Sequence, residues 1–126
     1  MTNNQTSATV LIVEDDFAIR EALTQALEDQ DLQVEGAANG KEALDYLRNN
    51  PAPCLILLDL MMPIMDGLQF RAEQRRDPQL ASIPVIVLSA DGGDQQKAAA
   101  IEANDYLEKP VRLVTLLDVV QRYCPG

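Results

Sequence analysis

The chain has 126 residues, 47% hydrophobic and 24% charged, which suits one globular domain with a real core. Ten basic residues against 20 acidic ones give a formal net charge of −10, which argues against direct nucleic-acid binding and against attraction to an anionic membrane surface. There is no histidine, so Ser-His-Asp and Cys-His catalysis, His-ligated metals and a phosphohistidine made on this chain are excluded.

Residues 1–8 are polar and lack the basic-then-apolar pattern of a signal peptide. They are expected to form a flexible tail ahead of a single domain over 9–124. No apolar run approaches the length of a membrane span, and the expected location is cytoplasmic.

The predicted elements alternate. Thr9–Val13 is a continuous apolar run, as a strand buried on both faces requires. Ile19, Leu23, Ala26 and Leu27 follow at helical spacing. Gln33–Ala37 is a weaker strand. Asn39-Gly40 opens a helix with Ala43, Leu44 and Leu47 on one face, and Asn49-Asn50-Pro51 stops it. Cys54 to Leu58 is a second strong strand ending on Asp59. Pro63 and Asp66-Gly67 mark a loop before a helix over Leu68–Arg76. Val85–Leu88 is a third strong strand, ending on Ser89. After Asp91-Gly92-Gly93, Asp94–Glu102 reads as a loosely packed helix. Asp105-Tyr106-Leu107 is a short strand leading to Glu108-Lys109-Pro110. The last helix places Leu113, Leu116, Leu117 and Val120 on one face. The two cysteines, Cys54 and Cys124, are too few for a disulfide framework and are expected to be free thiols.

Five strand–helix units with apolar strands imply an α/β fold, a parallel sheet covered by helices on both faces. The flavodoxin-like, doubly wound (βα)5 order 2-1-3-4-5 is adopted by analogy. Ligands of such sheets bind beyond the carboxyl ends of the strands. There the sequence places Glu14, Asp15 and Asp16, then Asp59, Ser89 and Lys109. Each has a plain reading as a strand end, a cap or a surface residue, and Asp16 alone reads best as a helix N-cap. Capping does not easily explain their coincidence at the ends of four strands. Two carboxylates about 4 Å apart repel by roughly 4 kcal/mol at an effective dielectric of 20. A hard divalent cation relieves that, and Mg²⁺ takes a few such oxygens together with phosphate oxygens.

Four segments, Val10–Asp16, Leu57–Gly67, Val87–Ala90 and Asp105–Pro110, together resemble the receiver domains of two-component response regulators. The resemblance runs from about Thr9 to Tyr123. It implies that Asp59 is the phosphorylated aspartate, and that Asp15, Asp59 and the backbone carbonyl of Met61 bind Mg²⁺, with Glu14 holding the metal through water. It implies that Lys109 pairs with the phosphoryl group, that Ser89 hydrogen-bonds it, and that Tyr106 is the switch aromatic. Met61, Ala90 and Asp91 would flank the phosphoryl group, and apolar Met61 leads to an expectation of slow self-dephosphorylation. The Lys109–Pro110 peptide is expected to be cis. From spacing alone, Tyr106 reads better as a half-buried strand aromatic with its hydroxyl in water.

The implied donor is a histidine kinase or histidine phosphotransfer protein. The implied output, from a chain expected to stand alone, is a downstream protein met by the fourth helix, fifth strand and fifth helix. Two positions depart from the family pattern. Glu102 stands where a glycine is common, which puts that turn in doubt, and Val111 stands where phenylalanine often follows the Lys-Pro pair. Three rivals carry less weight. An aspartyl-phosphate phosphatase usually has a second acid where Met61 stands. An interaction module that has lost phosphorylation should lack an acid or the lysine. A flavodoxin-like cofactor carrier needs a phosphate-cradling loop, which Glu14-Asp15-Asp16 would repel.

Overall fold

The computed structural model describes residues 8–90 and 94–125, so residues 1–7 of the expected tail and Asp91 lie outside the described residues. Ten elements alternate: β1 (Thr9–Val13), α1 (Phe17–Glu28), β2 (Gln33–Ala37), α2 (Gly40–Asn49), β3 (Leu55–Asp59), α3 (Gly67–Arg76), β4 (Val85–Ser89), α4 (Asp94–Ala100), β5 (Asp105–Glu108) and α5 (Leu113–Tyr123). All strand pairings are parallel and the order is β2-β1-β3-β4-β5, as expected.

The apolar strands divide their side chains between two cores. Leu11, Val13, Ile56, Leu58, Val85 and Val87 pack with Leu44, Leu47 and Phe70 of α2 and α3. Val10, Ile12, Leu55, Leu57, Ile86 and Leu88 pack with Leu23 and Leu27 of α1 and with Leu116, Val119 and Val120 of α5. Side chains alternate along a strand, so a strand covered on both faces must be apolar throughout. In α5 the buried face is Leu116, Val119 and Val120, whereas Leu113 is 53% exposed. Leu113 begins the helix ahead of the stretch that the sheet covers, which corrects its predicted place on the buried face. Ala98 is the one fully buried residue among the described side chains of α4, as its composition suggested.

Three further expectations change. Asp66-Gly67 is a helix start, not a loop. Asp66 Oδ1 accepts from the Gln69 N–H at 2.9 Å while Gln69 Oε1 accepts from the Asp66 N–H at 3.0 Å. A Cβ on Gly67 would come within 2.7 Å of the Asp59 carbonyl oxygen and of Leu60 Cα, so only glycine lets α3 start against the end of β3.

Glu102 makes the turn where the family commonly has glycine, with φ 56°. Such a backbone costs about 1–2 kcal/mol for a residue with a Cβ. Two arginines from α3 hold it. Arg71 donates to the carbonyls of Ile101 (3.0 Å) and Glu102 (2.9 Å), and Arg75 pairs with the Glu102 carboxylate at 2.9 Å.

The cysteines are not free thiols. Cys54 and Cys124, 70 residues apart, form a disulfide with Cα atoms 5.5 Å apart. Cys54 immediately precedes β3 and Cys124 caps α5. The packing of α5 across β3 brings them together, which their number and spacing could not show.

Candidate functional site: an acidic cleft at the carboxyl edge of the sheet

The sheet register builds the site. Val13 of β1 is level with Leu58 of β3, so the next residues, Glu14 and Asp59, emerge side by side. Asp59 is level with Leu88 of β4, and Ser89 with Glu108 of β5. The following residue, Lys109, donates its backbone N–H to the Ser89 carbonyl at 2.6 Å. Four strands thus end at one level, and the order reverses between β1 and β3. The Lys109–Pro110 peptide is cis, as the resemblance implied.

One carboxylate oxygen from each of Glu14, Asp15 and Asp59 lies within 4.8 Å of the others. Glu14 and Asp59 are 1% and 6% exposed, while Asp15 is exposed. The Lys109 ammonium stands 2.6 Å from Glu14 Oε1 and 3.6 Å from Asp59 Oδ2. Asp59 Oδ1 accepts from the Met61 N–H at 3.1 Å, and Glu14 Oε2 accepts from the Asp16 N–H at 3.2 Å.

One ammonium cannot balance these carboxylates. Burial, followed by the hydrogen bond and charge of Glu14, pushes the Asp59 carboxyl up to about 7 against the pull of the Met61 N–H and Lys109. Burial also works to raise Glu14, but the hydrogen bonds with Asp59, Lys109 and the Asp16 backbone prevail and hold it below the usual carboxylate range. Burial alone would lower the Lys109 ammonium. Glu14 and Asp59 outweigh it and hold the lysine above its ordinary value. A proton therefore stays on Asp59 up to neutral pH, in a place that suits a cation.

Asp16 does not join the cluster. Its Oδ1 accepts from the Ile19 N–H at 3.0 Å and caps α1, as read from the sequence. Ser89 is fully buried at the end of β4. Ala90 is exposed beside the cleft and, with Lys109, Ile19 and Val111, borders a 440 Å³ hollow. Val111 is half-buried against the α1–α5 core. Met61 is 69% exposed on the rim. Tyr106 is half-buried, packs against the α2–α3 core, and has its hydroxyl 3.4 Å from Glu108 Oε1.

Sequence reasoning missed two supports. Arg20 reaches back from α1 to donate to the Glu14 carbonyl at 2.6 Å, its guanidinium 5.5 Å from the centre of the Phe17 ring. Gly67 allows the close approach behind Asp59. The signal for Gly67 was its place after Asp66, a capping residue seven positions beyond the acceptor candidate; Arg20 left no signal.

The family model of the response regulator receiver domain matches residues 10–121. An uncharacterised 14.6 kDa protein of the sodA1 3′ region of Leptolyngbya boryana is 38% identical over 91% of this chain and 88% of its own length. Response regulator Rre1 of Synechocystis sp. is 39% identical over 80% of this chain, but the match spans only 45% of Rre1. The crystal structure of the receiver domain of sensor histidine kinase PA1611 from Pseudomonas aeruginosa, with a magnesium ion coordinated in the active site cleft, superposes with a TM-score of 0.86 at 26% identity. It covers 96% of this chain and all of that one.

Proposed function

Because the chain belongs to the response regulator receiver-domain family, we propose that it is a phospho-acceptor in which Asp59 takes a phosphoryl group from a phosphohistidine and a protein partner reads the result. The observation that carries this reading is the Glu14, Asp15 and Asp59 oxygen set, closed on one side by the Lys109 ammonium.

The donor set fits Mg²⁺: three hard oxygens, two of them on buried side chains and one exposed. Asp15, Asp59 and the Met61 carbonyl would hold the ion, with Glu14 reaching it through water. Bound there, Mg²⁺ supplies the positive charge that offsets the oxygens of a transferring phosphoryl group. The chain does the rest. A deprotonated Asp59 oxygen attacks phosphorus as the N–P bond to the donor imidazole breaks, leaving an acyl phosphate on Asp59. Lys109 pairs with the phosphoryl oxygens and Ser89 offers them its hydroxyl. Movement of Ser89 draws Tyr106 with it, biasing the face formed by α4, β5 and α5. The first turn of α5 carries Leu113 and Val114, 53% and 81% exposed, which supports readout by a protein. The donor is a histidine kinase or histidine phosphotransfer protein. Among the described residues no helix is long and apolar enough to cross a membrane, which is consistent with a cytoplasmic signalling domain.

Intact-mass analysis after incubation with a small-molecule phosphodonor and Mg²⁺ tests the assignment. The expected result is one added phosphoryl group on the wild type, none on Asp59→Asn, and none with a chelator. No gain on the wild type under conditions where Mg²⁺ binds would leave only an interaction module. Exposed, apolar Met61 offers no hydrogen bond to an attacking water, so the phosphoryl group should leave slowly. Slower loss from Met61→Asn than from the wild type would refute that.

A further inference from the structure

We propose that Cys54 and Cys124 are a reversible thiol–disulfide exchange site, served by dithiol reductants and small disulfide oxidants, that clasps the tail of α5 to the root of the strand carrying Asp59. The pair lies at the amino edge of the sheet, away from the acidic cleft. Cys54 immediately precedes β3 and Asp59 ends it, about 16 Å away at the rise of a strand. Cys124 ends α5, whose other end follows Lys109-Pro110 by only two residues. The bridge therefore ties the far ends of the two elements whose near ends border the cleft.

Access separates an exchange site from a sealed staple. Cys54 is half-buried and borders a 610 Å³ hollow with Thr9, Tyr46 and Pro51. Cys124 is 4% exposed but borders a second hollow, of 430 Å³, with Leu32 and Leu117. Cys54, the more exposed residue of the pair, is the one that an incoming thiolate meets. Attack on Cys54 Sγ breaks the S–S bond, places the reductant on Cys54 and releases the Cys124 thiolate, which takes a proton. The reductant's second thiol then displaces the Cys54 thiolate, which is protonated in turn. The dithiol loses two electrons and two protons, and the bridge gains them. A small disulfide such as oxidised glutathione reverses the sequence.

The reduced form also has a place in the fold. Cys54 Sγ lies 3.3 Å from the Thr9 carbonyl oxygen, an acceptor for the S–H of the thiol. Leu116, Val119 and Val120 hold α5 on the sheet without the bridge. Reduction should thus free the last turn of α5 and leave the domain folded.

Thiol counting needs neither phosphodonor nor metal, so it is independent of the phospho-acceptor reading. Protein equilibrated natively with oxidised glutathione or with dithiothreitol is quenched in acid, denatured, alkylated with iodoacetamide and weighed. We expect no alkyl groups after oxidation, two after native reduction, and recovery of the bridge on reoxidation. Cys54→Ser should take one group after reduction and, after oxidation, carry either that group or one glutathione, with no internal bridge. Backbone amides of the last turn of α5 should exchange about tenfold faster in the reduced protein, with those of β1 and β3 unchanged. Two alkyl groups in excess oxidised glutathione would show that no bridge forms. Reduction only in denaturant would make the bridge a sealed staple. Equal exchange of the tail in both states would remove the clasp. Any of these overturns the proposal.

Discussion

At the carboxyl edge of the sheet, Glu14 and Asp59 share one ammonium. Beneath α3, the buried guanidinium of Arg71 is surrounded by acceptors. Arg71 gives its hydrogen bonds to two carbonyls and to Gln74 Oε1. Gln74, itself fully buried, donates to the carbonyls of Leu80 and Ile83. In that cluster donors and acceptors match, and its product is a fixed turn at Glu102. In the acidic cleft the charges do not match, and a proton is retained on Asp59 to lessen the repulsion. Similar burial yields opposite outcomes. A satisfied network rigidifies a loop, whereas an unsatisfied one keeps free energy available for a ligand that brings positive charge.

The sharpest way to break this contrast is Arg71→Ala. Two carbonyls and an amide oxygen would lose their donor, and a loss of about 3 kcal/mol is expected from urea unfolding. A loss under about 1 kcal/mol would mean that water replaces the guanidinium and that the two clusters do not differ in kind.

Asp59→Asn should act in the opposite sense. The native Asp59 is raised from 3.8 to about 7, so between those values the folded chain keeps a proton that the unfolded chain has lost. The stability this gives is fully present below about pH 4 and is lost as pH rises to 7. The lowered Glu14 acts oppositely, its contribution lost only as pH falls below its ordinary range. In chelator at pH 8 the Asn variant should therefore be the more stable, by about 1–2 kcal/mol. This is less than the full conversion of the shift, because local relaxation and water entry screen the charge. Near pH 4 the difference should vanish. Thermal unfolding across this range measures it.

The same proton competes with a cation. Calorimetric Mg²⁺ affinity should rise with pH up to about 7 and level off above it, the gain from pH 6 to 7 approaching a factor of about 5. A flat profile would show that Asp59 is ionised throughout.

The smallest effect expected is that of Glu102→Gly. Removing the left-handed Cβ strain helps, but losing the exposed Arg75 pair and loosening the unfolded chain offset it. The net change should stay within about 0.5 kcal/mol. A large loss would show that the arginines of α3 depend on this side chain as well as on its carbonyl.

Much of this protein was legible in its sequence because the signals are local or periodic. Apolar runs marked the buried strands, caps such as Asp16 and Asn39 marked helix starts, and strand ends collected Glu14, Asp59, Ser89 and Lys109. Family resemblance supplied the roles and the cis peptide, which spacing alone did not give. The exposure of Leu113 was not legible, because a helix pattern does not show where the sheet stops covering it. The left-handed turn at Glu102 depends on arginines some 30 residues earlier. The Cys54–Cys124 bridge joins positions 70 residues apart. By itself the sequence determined the order of elements and the residues that reach the carboxyl edge, since both follow from chain-local chemistry. Only the tertiary structure decided which distant groups meet. That choice set the proton on Asp59, the donors that hold Glu102 and the partner of Cys54, because each depends on the distance between atoms the chain does not connect.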